Sequence, residues 1–437
     1  MYRQPSSLHN LLLKSVQLEP GETAALLWSF SYFFTLLCSY YIIRPIRDEM
    51  GILGGVDNLQ WLFTGTLIAM TLLVPLFGWI SSRFPRRRFL PYVYGFFILA
   101  MLLFHLLINE TDTSPAIARA FFIWTSVFNL FVVSVFWSFM ADSYSNRQAR
   151  RLFGFIAAGG TVGALAGPAL TTLLVQPLGT KNLLLISALL LCWAIVCIAR
   201  LSTWAATTRA DDGTAKTGNN EKQLGGGIWA GITLVVRSPY LLGICLSMLL
   251  FTTLATFLYL MQAQIVRDAF TDSAQRTAVF AAIDLTVNGL TLLLQLFLTS
   301  RLIQWFGLAV VLAMVPLLLA AGFTLLGMAP ALGVLLVVQI IRRAGNYAIM
   351  RPAREMLYVV LTREEKYKAK NLIDTVVYRT GDAVSAWLYS GLRSLGMNLA
   401  GIAMLAVPLA LLWAWIAFRL GRQQTRLADS RSTSETV

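Results

Sequence analysis

Charged residues are scarce in this chain. Only 13% of its 437 residues are Asp, Glu, Lys or Arg, whereas 57% are hydrophobic. A soluble domain typically carries roughly 25% charged residues. The composition therefore excludes an ordinary soluble domain and indicates a protein that lies largely in lipid.

Residues that commonly bind metals or perform catalysis are also few. The two histidines, His9 and His105, match no metal-ligand spacing, and the four cysteines all fall in apolar stretches, which argues against disulfides. The glycine-rich stretch at 224–229 lacks the lysine of a phosphate-binding loop. We therefore expect no cofactor, no metal and no enzymatic activity.

Long hydrophobic runs are what the sequence has in abundance. Runs of about 20 apolar residues are typical of transmembrane helices, which make every backbone hydrogen bond internally. The sequence predicts an all-α integral membrane protein with twelve transmembrane helices in two halves of six. The predicted spans are 24–43, 58–80, 89–108, 118–140, 152–175, 182–202, 240–262, 278–299, 308–328, 331–350, 371–392 and 398–418.

The net charge of +14 is distributed as membrane topology requires. Most Lys and Arg residues lie in the termini and in the loops after spans 2, 4, 6, 8 and 10, which predicts cytoplasmic termini. We interpret these loops first as topology signals and anionic-lipid contacts, and only second as partner sites, so no nucleic acid polymer is expected. The N-terminal residues show no cleavable or transit-like pattern, which favours a bacterial inner membrane and leaves an organellar membrane open.

One long polar connector, 203–237, separates an N-terminal half (1–202) from a C-terminal half (238–420), and a cytoplasmic tail follows at 421–437. Three short segments recur between the halves at an offset of about 220 residues. They are IRDEM (46–50) and VRDAF (266–270), SSRF (81–84) and TSRL (299–302), and ARRL (149–152) and AKNL (369–372). This plan resembles the major facilitator transporters, whose solute site lies between the halves near the membrane midplane.

The loop after span 2, GWISSRFPRRR (78–88), is similar to the signature of that superfamily, Gly-x-x-x-Asp-Arg-x-Gly-x-Arg-Arg. It matches at Gly78, Arg83, Arg86 and Arg87, and departs at Ser82 and Pro85. Arg83 is therefore a candidate gating residue. The alternative is a basic loop that only sets topology.

Span 5 carries a glycine at every fourth position, at Gly159, Gly163 and Gly167. One helix face lined with glycines lets a neighbouring helix approach closely. The spacing predicts a helix-packing surface, with a substrate contact as the alternative.

Charged residues inside the predicted spans are costly in lipid and usually face a partner or a water-filled cavity. Asp142 and Asp284 are candidates for coupling or gating. In span 11, Asp374 and Asp382 would share one face of an α-helix, and Arg379 can pair with Asp382. This pair is either self-satisfied near the interface or part of the translocation path.

Span 1 ends in YYIIRPIRDEMG, where Arg44, Arg47 and Asp48 would share a face if the helix continued. Pro45 predicts instead that the helix ends or kinks there. A broken helix with two arginines fits an anion site, because guanidinium groups present a planar fork to phosphate oxygens. The alternative is a loop whose Arg and Asp pair with each other, and an equivalent pair beginning at Arg267 leaves both readings open.

The stretch REMLYVVLTREEKYKAKNLIDTVVYRTGD (354–382) resembles the ATP/ADP antiporter family of plastids and intracellular bacteria. That family has Lys-Glu-Met-x-Tyr after span 10, a lysine run, and then Asp and Arg-x-Gly in span 11. Arg44, Arg47 and Asp48 are similar to its span 1 motif. The other matching positions are Glu355, Met356, Tyr358, Lys366, Lys368, Lys370, Asp374, Arg379 and Gly381, with Arg354 in place of a lysine.

The resemblance implies exchange of ATP for ADP, or import of nucleotides with protons, and basic residues of these segments that bind phosphate. Two departures bear on this expectation. Residues 125–142 contain no acid before Asp142, where the family has a functional Glu, and Asp382 replaces a basic position.

Three functions remain open at this point. The first is transport of a small anionic, nucleotide-like solute that is bound by Arg44, Arg47, Asp48, Arg267, Arg354, Glu355 and Arg379. The second is proton-coupled transport of another solute, including efflux, with proton carriers among Asp142, Asp284, Asp374 and Asp382. The third is a non-transporting membrane sensor on the same scaffold.

Overall fold

The computed structural model describes residues 18–19, 21–83, 86–109, 112–211 and 228–435, and no strand occurs in this part of the chain. The helices are α1 (Glu22–Leu53), α2 (Leu59–Arg83), α3 (Arg86–Leu107), α4 (Pro115–Ser143), α5 (Asn146–Leu178), α6 (Leu183–Asp211), α7 (Ile228–Arg237), α8 (Pro239–Ala269), α9 (Ser273–Phe297), α10 (Thr299–Met328), α11 (Leu332–Gly345), α12 (Arg351–Leu357), α13 (Arg363–Asn371), α14 (Tyr378–Ser394) and α15 (Leu399–Glu435). Val56–Asn58 is a 3₁₀ turn, and Asn346–Met350 and Leu372–Val377 are π-helical.

Eleven helical stretches among the described residues are long and apolar enough to cross a membrane. This confirms the predicted all-helical membrane architecture. The predicted span at 371–392 is helical too, as Leu372–Val377 followed by α14, but it is not among the eleven. Its charged residues Asp374, Arg379 and Asp382 explain its lower hydropathy.

Pro45 was predicted to end or kink the first helix, and an end at this position is wrong. α1 runs from Glu22 to Leu53 with Pro45 buried inside it. Proline removes one backbone hydrogen bond, and membrane helices tolerate this loss because neighbouring groups and local adjustments satisfy the freed carbonyl. Arg44 and Arg47 therefore stand on a continuous helix rather than on a broken one.

The predicted packing role of the span 5 glycines is confirmed. A Cβ atom on Gly159, Gly163 or Gly167 would lie 2.5, 2.3 or 2.7 Å from a backbone carbonyl oxygen of α1. These distances are far too short for a side chain, so the backbones of α1 and α5 touch along three helical turns.

The chain forms two compact units. The first contains the described residues within Met1–Gly54, Ile68–Asn219 and Asp272–Leu285, and the second those within Gly55–Leu67, Asn220–Thr271 and Thr286–Val437. Each of the helices α2 and α9 thus contributes residues to both units. These two units do not coincide with the predicted sequence halves, 1–202 and 238–420. Those halves describe the sequence repeat and remain a prediction.

The core of the first unit is built around α1, which packs against α4, α5 and α6. Tyr32 on α1 is fully buried, and its hydroxyl lies 2.6 Å from the hydroxyl of Tyr94 on α3. Phe33 stacks on Phe136 of α4 with 4.1 Å between ring centres. These contacts fix the position of α1, which carries the charged residues described below.

Two stretches that were predicted as linker and tail are partly helical. α6 continues to Asp211 and α7 begins at Ile228, so the connector 203–237 is helical at both ends, while 212–227 lies outside the described residues. α15 continues to Glu435 through most of the predicted tail.

Reciprocal side-chain caps start the helices that contain the repeated ARRL and AKNL segments. Ser145 and Gln148 form a capping box at the start of α5, and Thr362 and Glu365 form one at the start of α13. Each box satisfies two backbone N–H groups that a helix start leaves without intrahelical partners. The two repeated segments thus follow helix starts of the same type, and the repeat itself remains a prediction.

Candidate functional site

Charged side chains meet where α1 ends and α9 begins, all within the first unit. The α1 residues of this cluster lie in the C-terminal third of that helix. We define the α1–α9 charge cluster as Arg44, Arg47, Asp48, Glu49, Arg276 and Asp284. The carboxylates of Glu49 and Asp284 are almost completely buried.

The tightest contact of the cluster joins residues that are distant in sequence. Arg276 donates from Nε to Glu49 Oε2 at 2.8 Å and from Nη2 to Glu49 Oε1 at 2.7 Å. The Glu49 side chain is 0% exposed and that of Arg276 is 9% exposed. A two-pronged, charge-assisted pair is strong, and removing either partner would leave an uncompensated buried charge. We interpret this pair as a structural tie between α1 and α9.

Sequence analysis selected neither Glu49 nor Arg276. The available signal was a glutamate just beyond the predicted end of span 1, next to the candidate Asp48. Arg276 lies in the first turn of α9, just before the predicted start of that span at 278. Nothing local in the sequence indicates that these two residues meet.

Arg44 and Arg47 are held more loosely than Arg276. Arg44 Nε lies 3.5 Å from Asp284 Oδ2, and one Arg47 Nη2 lies 3.3 Å from Asp48 Oδ1. The two arginine side chains are 16% and 20% exposed, so both remain reachable. The predicted pairing of Arg47 with Asp48 is thus present in the structure, within a helix rather than a loop.

Aromatic rings flank these two guanidinium groups. The Arg44 guanidinium lies 5.6 Å from the centre of the Tyr41 ring, and that of Arg47 lies 4.5 Å from the centre of the Phe122 ring. Ring faces attract cations and leave the edges of the guanidinium free for further hydrogen bonds. The arrangement combines two adjacent cations with flat apolar surfaces.

Arg267, the counterpart of Arg47 in the repeat, has different surroundings. It donates from Nε to Asp268 Oδ1 at 3.0 Å at the end of α8. Both side chains are exposed, at 41% and 62%. An exposed pair of neighbours contributes little energy. The assignment of Arg267 to substrate binding remains a prediction.

A second group of charges lies in the second unit, around the end of α12 and the start of α14. Arg354 Nη2 lies 3.3 Å from Asp374 Oδ1, and Lys370 donates to Glu355 Oε2 at 2.6 Å. Tyr358 is completely buried beside them, with Lys370 Nζ 6.0 Å from its ring centre. Burial raises the pKa of the Tyr358 phenol above its ordinary value, and the Asp374 carboxylate raises it further.

Two parts of the 354–382 stretch that resembles the ATP/ADP antiporter family meet here. Residues 354–358 and 370–374 are brought together in a single group of charges. Leu372–Val377 is π-helical, so its hydrogen bonds skip one residue more than in an α-helix. Asp374 lies in this π-helical turn and meets Arg354. The expected shared face of Asp374 and Asp382 remains a prediction.

Arg379 and Asp382 form the loosest of these pairs, with 3.9 Å between Nη1 and Oδ2. Thr256 of α8 donates to the Asp382 carboxylate at 3.4 Å. Nearby in the same unit, Arg342 donates from Nε to Gln339 at 3.0 Å. The predicted pairing of Arg379 with Asp382 is therefore present, and α8 contributes to it.

The remaining predicted site residues lie apart from these groups. Asp142 is exposed near the end of α4, and Arg83 is exposed at the end of α2. The other side chains of the 78–88 signature lie outside the described residues, so Arg83 as a gating residue remains a prediction. In the described part of the chain, no group of three or more His, Cys, Asp or Glu residues is placed to hold a metal ion.

Comparisons with known proteins agree with a transporter architecture. The family model of the Major Facilitator Superfamily matches residues 25–367. ADP,ATP carrier protein 1 of Chlamydia muridarum is 21% identical over 484 residues, covering 95% of this chain and 91% of that protein. ADP,ATP carrier protein 2 of Chlamydia pneumoniae is 20% identical, with coverages of 90% and 88%.

Solved structures with the same fold include two transporters. The nucleoside transporter NupG superimposes with a TM-score of 0.63 at 13% identity, covering 92% of this chain and 98% of that chain. The POT family transporter PepTSo has the same TM-score at 12% identity and the same coverages. At such identities the likeness shows a shared fold alone.

Proposed function

Since the chain belongs to the Major Facilitator Superfamily, it is a multi-pass membrane transporter, and we propose that its solute is a small phosphate-bearing anion moved by alternating access. The observation that carries this proposal is the pair Arg44 and Arg47. Both guanidinium groups are partly exposed, lie near carboxylates and are flanked by aromatic rings. Arginine presents a planar fork of donors that matches phosphate oxygens.

The charges of the α1–α9 cluster balance, so an incoming anion must replace a carboxylate. Glu49 is fixed by two short hydrogen bonds, which makes it the least replaceable partner. Asp284 and Asp48 make longer contacts, at 3.5 and 3.3 Å. We propose that a phosphate group displaces these two carboxylates from Arg44 and Arg47 and is released when they return.

A nucleotide is the phosphate-bearing solute that we favour. The similarity to two ADP,ATP carriers extends over nine-tenths or more of this chain. The Arg354–Asp374 and Lys370–Glu355 pairs lie in the 354–382 stretch, whose sequence resembles the ATP/ADP antiporter family. The rings of Tyr41 and Phe122 are flat surfaces of the kind on which a base can lie.

Counter-exchange in proteoliposomes tests this proposal. Vesicles loaded with unlabelled ADP should accumulate external labelled ATP, and empty vesicles should not. Arg47→Ala should reduce the initial rate at least tenfold, because a charge-assisted contact to phosphate contributes roughly 1.5–3 kcal/mol. Arg147→Ala is the control, since Arg147 is 84% exposed and far from the cluster in sequence.

Two results would count against the nucleotide proposal. One is an absence of ATP accumulation while a known carrier works in the same vesicles. The other is equal activity of Arg47→Ala and Arg147→Ala with the wild type. In the first case, a panel of other phosphorylated anions would test the broader proposal.

Proton coupling is a second candidate because of the Asp284 carboxylate. It is 1% exposed and lies 3.5 Å from Arg44, so an anion that takes over Arg44 would separate this carboxylate from its guanidinium partner. Uptake should then increase with an inward proton gradient, and Asp284→Asn should remove that dependence. Uptake that is indifferent to the gradient, in both proteins, would exclude this candidate.

We also propose a location and orientation. The protein is a multi-pass integral membrane protein, and the basic loops support a bacterial inner membrane with both termini in the cytoplasm. A reporter enzyme that is active only outside the cytoplasm, fused after residue 437, should be inactive. An active reporter would reverse the proposed orientation.

A further inference from the structure

A short surface segment precedes the membrane-spanning part of α10. Gly307 has a φ of 73° and a ψ of 164°, which separates residues 299–306 from the long apolar part of the helix. Leu302 is buried, whereas Arg301, Trp305 and Phe306 are exposed. An arginine and aromatic rings at the end of a span are typical of the boundary between membrane and water.

The exposed face of α15 changes character along its length. Leu412 and Trp415 are exposed apolar residues, and Arg419, Arg422 and Arg426 follow them at helical spacing on the same side. The Arg419 guanidinium lies 4.8 Å from the centre of the Trp415 ring. A sequence of apolar, aromatic and then cationic side chains marks the level at which a helix leaves the hydrocarbon.

The helices α10 and α15, which carry these two surfaces, contact each other in the second unit. A Cβ atom on Gly421 of α15 would lie 2.4 Å from the Cα atom of Ala309 in α10. The two backbones therefore touch within two residues of the break at Gly307. Arg419 and Arg422 flank Gly421 along α15, so these cations lie at the level at which the surface segment 299–306 joins its span.

The arginines here differ from those of the charge clusters. In the described part of the chain, no carboxylate pairs with Arg301, Arg419, Arg422 or Arg426. No Asp or Glu occurs within 299–309 or 411–428. By contrast, Arg44, Arg276 and Arg354 each have a carboxylate within 4.0 Å. The surface therefore carries uncompensated positive charge next to lipid-facing apolar residues.

We propose that this surface is a binding site for a phospholipid with a net negative headgroup. Arg301, Arg419 and Arg422 hold its phosphate oxygens, and Trp305 and Trp415 lie beside the upper part of its acyl chains. The exposed apolar residues below the cations favour a lipid over a soluble phosphate, which would leave them without a partner. The site is distinct from the α1–α9 cluster and does not depend on the identity of the solute.

Lipid binding to the full-length protein tests the proposal directly. Delipidated protein in detergent is titrated with phosphatidylglycerol or phosphatidylcholine, and bound lipid is counted by native mass spectrometry. The wild type should prefer phosphatidylglycerol on the order of a hundredfold, since each of three cations near a lipid surface contributes roughly fivefold. The variant Arg301→Gln/Arg419→Gln/Arg422→Gln should lose most of this preference.

The control variant removes the same charge elsewhere. Arg147→Gln/Arg150→Gln/Arg393→Gln changes three exposed arginines outside the proposed site and should keep the preference of the wild type. If both variants lost the preference for phosphatidylglycerol equally, the preference would depend only on the net charge of the protein, and the proposal would be overturned. Retention of the preference in the site variant would overturn it as well.

Two further measurements leave all arginines in place. Phosphatidylglycerol brominated on its chains should quench tryptophan fluorescence, and Trp305→Phe/Trp415→Phe should remove more of that quenching than Trp193→Phe, which changes an exposed tryptophan of α6. Equal residual quenching would exclude this location. Displacement of the lipid by millimolar inorganic phosphate would assign the site to a soluble anion and contradict the lipid assignment.

Discussion

Two helix pairs that the sequence repeat makes equivalent are held together in different ways. In the first unit, the glycines of α5 bring its backbone against α1, and a Cβ on Gly163 would lie 2.3 Å from the carbonyl oxygen of Phe34. In the second unit, α14 approaches α8 closely at one glycine, Gly381, and the neighbouring atom belongs to a side chain. A Cβ on Gly381 would lie 2.4 Å from Thr252 Oγ1. One pair meets through backbone, the other through side chains.

Polar side chains supply the other contacts between α8 and α14. Ser385 donates to Thr253 at 2.9 Å, Tyr389 to Gln264 at 3.1 Å and Thr256 to Asp382 at 3.4 Å. Side-chain hydrogen bonds can lengthen or exchange partners, whereas a backbone contact through glycine has no such freedom. The helices α1 and α5 are therefore held at a fixed distance, whereas the contact between α8 and α14 accommodates charged side chains.

The ion pairs of the two units show the same contrast. Glu49–Arg276 and Lys370–Glu355 have nearly equal lengths of 2.7 and 2.6 Å. Their side chains differ in exposure, at 0% and 9% for the first pair against 44% and 34% for Glu355 and Lys370. Burial rather than length should therefore decide how much each pair matters.

The largest expected effect comes from breaking the buried pair of the first unit. Arg276→Met should lower the free energy of unfolding by about 3–5 kcal/mol, because Glu49 would remain buried without a counter-charge. Denaturant titration in detergent micelles measures this loss. The double variant Glu49→Leu/Arg276→Met should recover most of it, and a single variant as stable as the wild type would refute the structural role of the pair.

The next effect comes from the glycine contact between α1 and α5. Gly163→Ala should cost about 1–3 kcal/mol, because its methyl group overlaps the Phe34 carbonyl and the helices must separate. Thermal unfolding followed by circular dichroism provides the measurement. Gly154→Ala on the same helix is the matched control, since nothing lies within 4 Å of its Cβ position. Gly154→Ala should be neutral or stabilising by up to about 1 kcal/mol. If both variants lost the same stability, the loss could not be assigned to the contact between α1 and α5.

A smaller effect is expected for the polar contacts of the second pair. Ser385→Ala removes its hydrogen bond to Thr253 and should cost about 0.6 kcal/mol, the average for hydrogen bonds between membrane helices. Ser394→Ala, whose hydroxyl bonds only within its own helix, should cost less under the same denaturant titration. A loss above that of Gly163→Ala would reverse the proposed contrast between the two helix pairs.

The smallest effect concerns the exposed pair of the second unit. Lys370→Ala should change the free energy of unfolding by no more than about 1 kcal/mol, and 1 M salt should erase the difference, since solvent and ions screen a half-exposed pair. The cost of Arg276→Met should persist at the same salt concentration. A salt-insensitive loss in Lys370→Ala would show that this pair is buried more deeply than its exposure indicates.

Several features of the fold and the site were predictable because they depend on local pattern. The long apolar runs predicted membrane helices, and the glycine spacing predicted a close helix contact. Arg44, Arg47 and Asp48 were selected from one short motif, and the structure places all three in the α1–α9 cluster. Composition and helical periodicity are sufficient for inferences of this kind.

Other features were mispredicted or missed because they depend on neighbours. Pro45 was expected to end or kink its helix, but α1, packed among α4, α5 and α6, continues through it to Leu53. The π-helical turn at Leu372–Val377, which contains the Arg354 partner Asp374, was missed. No local sequence rule identifies an inserted residue of this type, since its stability comes from the contacts it permits.

The amino-acid sequence by itself determined that this protein consists of membrane-spanning helices and which of their faces are small, apolar or basic. Lipid leaves a spanning segment no alternative to helix, so composition alone settles the point. Only the tertiary structure decided which charges meet. Glu49 and Arg276 are separated by 227 positions, and whether two such side chains form a buried pair depends on a distance and a burial that arise only when the helices have packed.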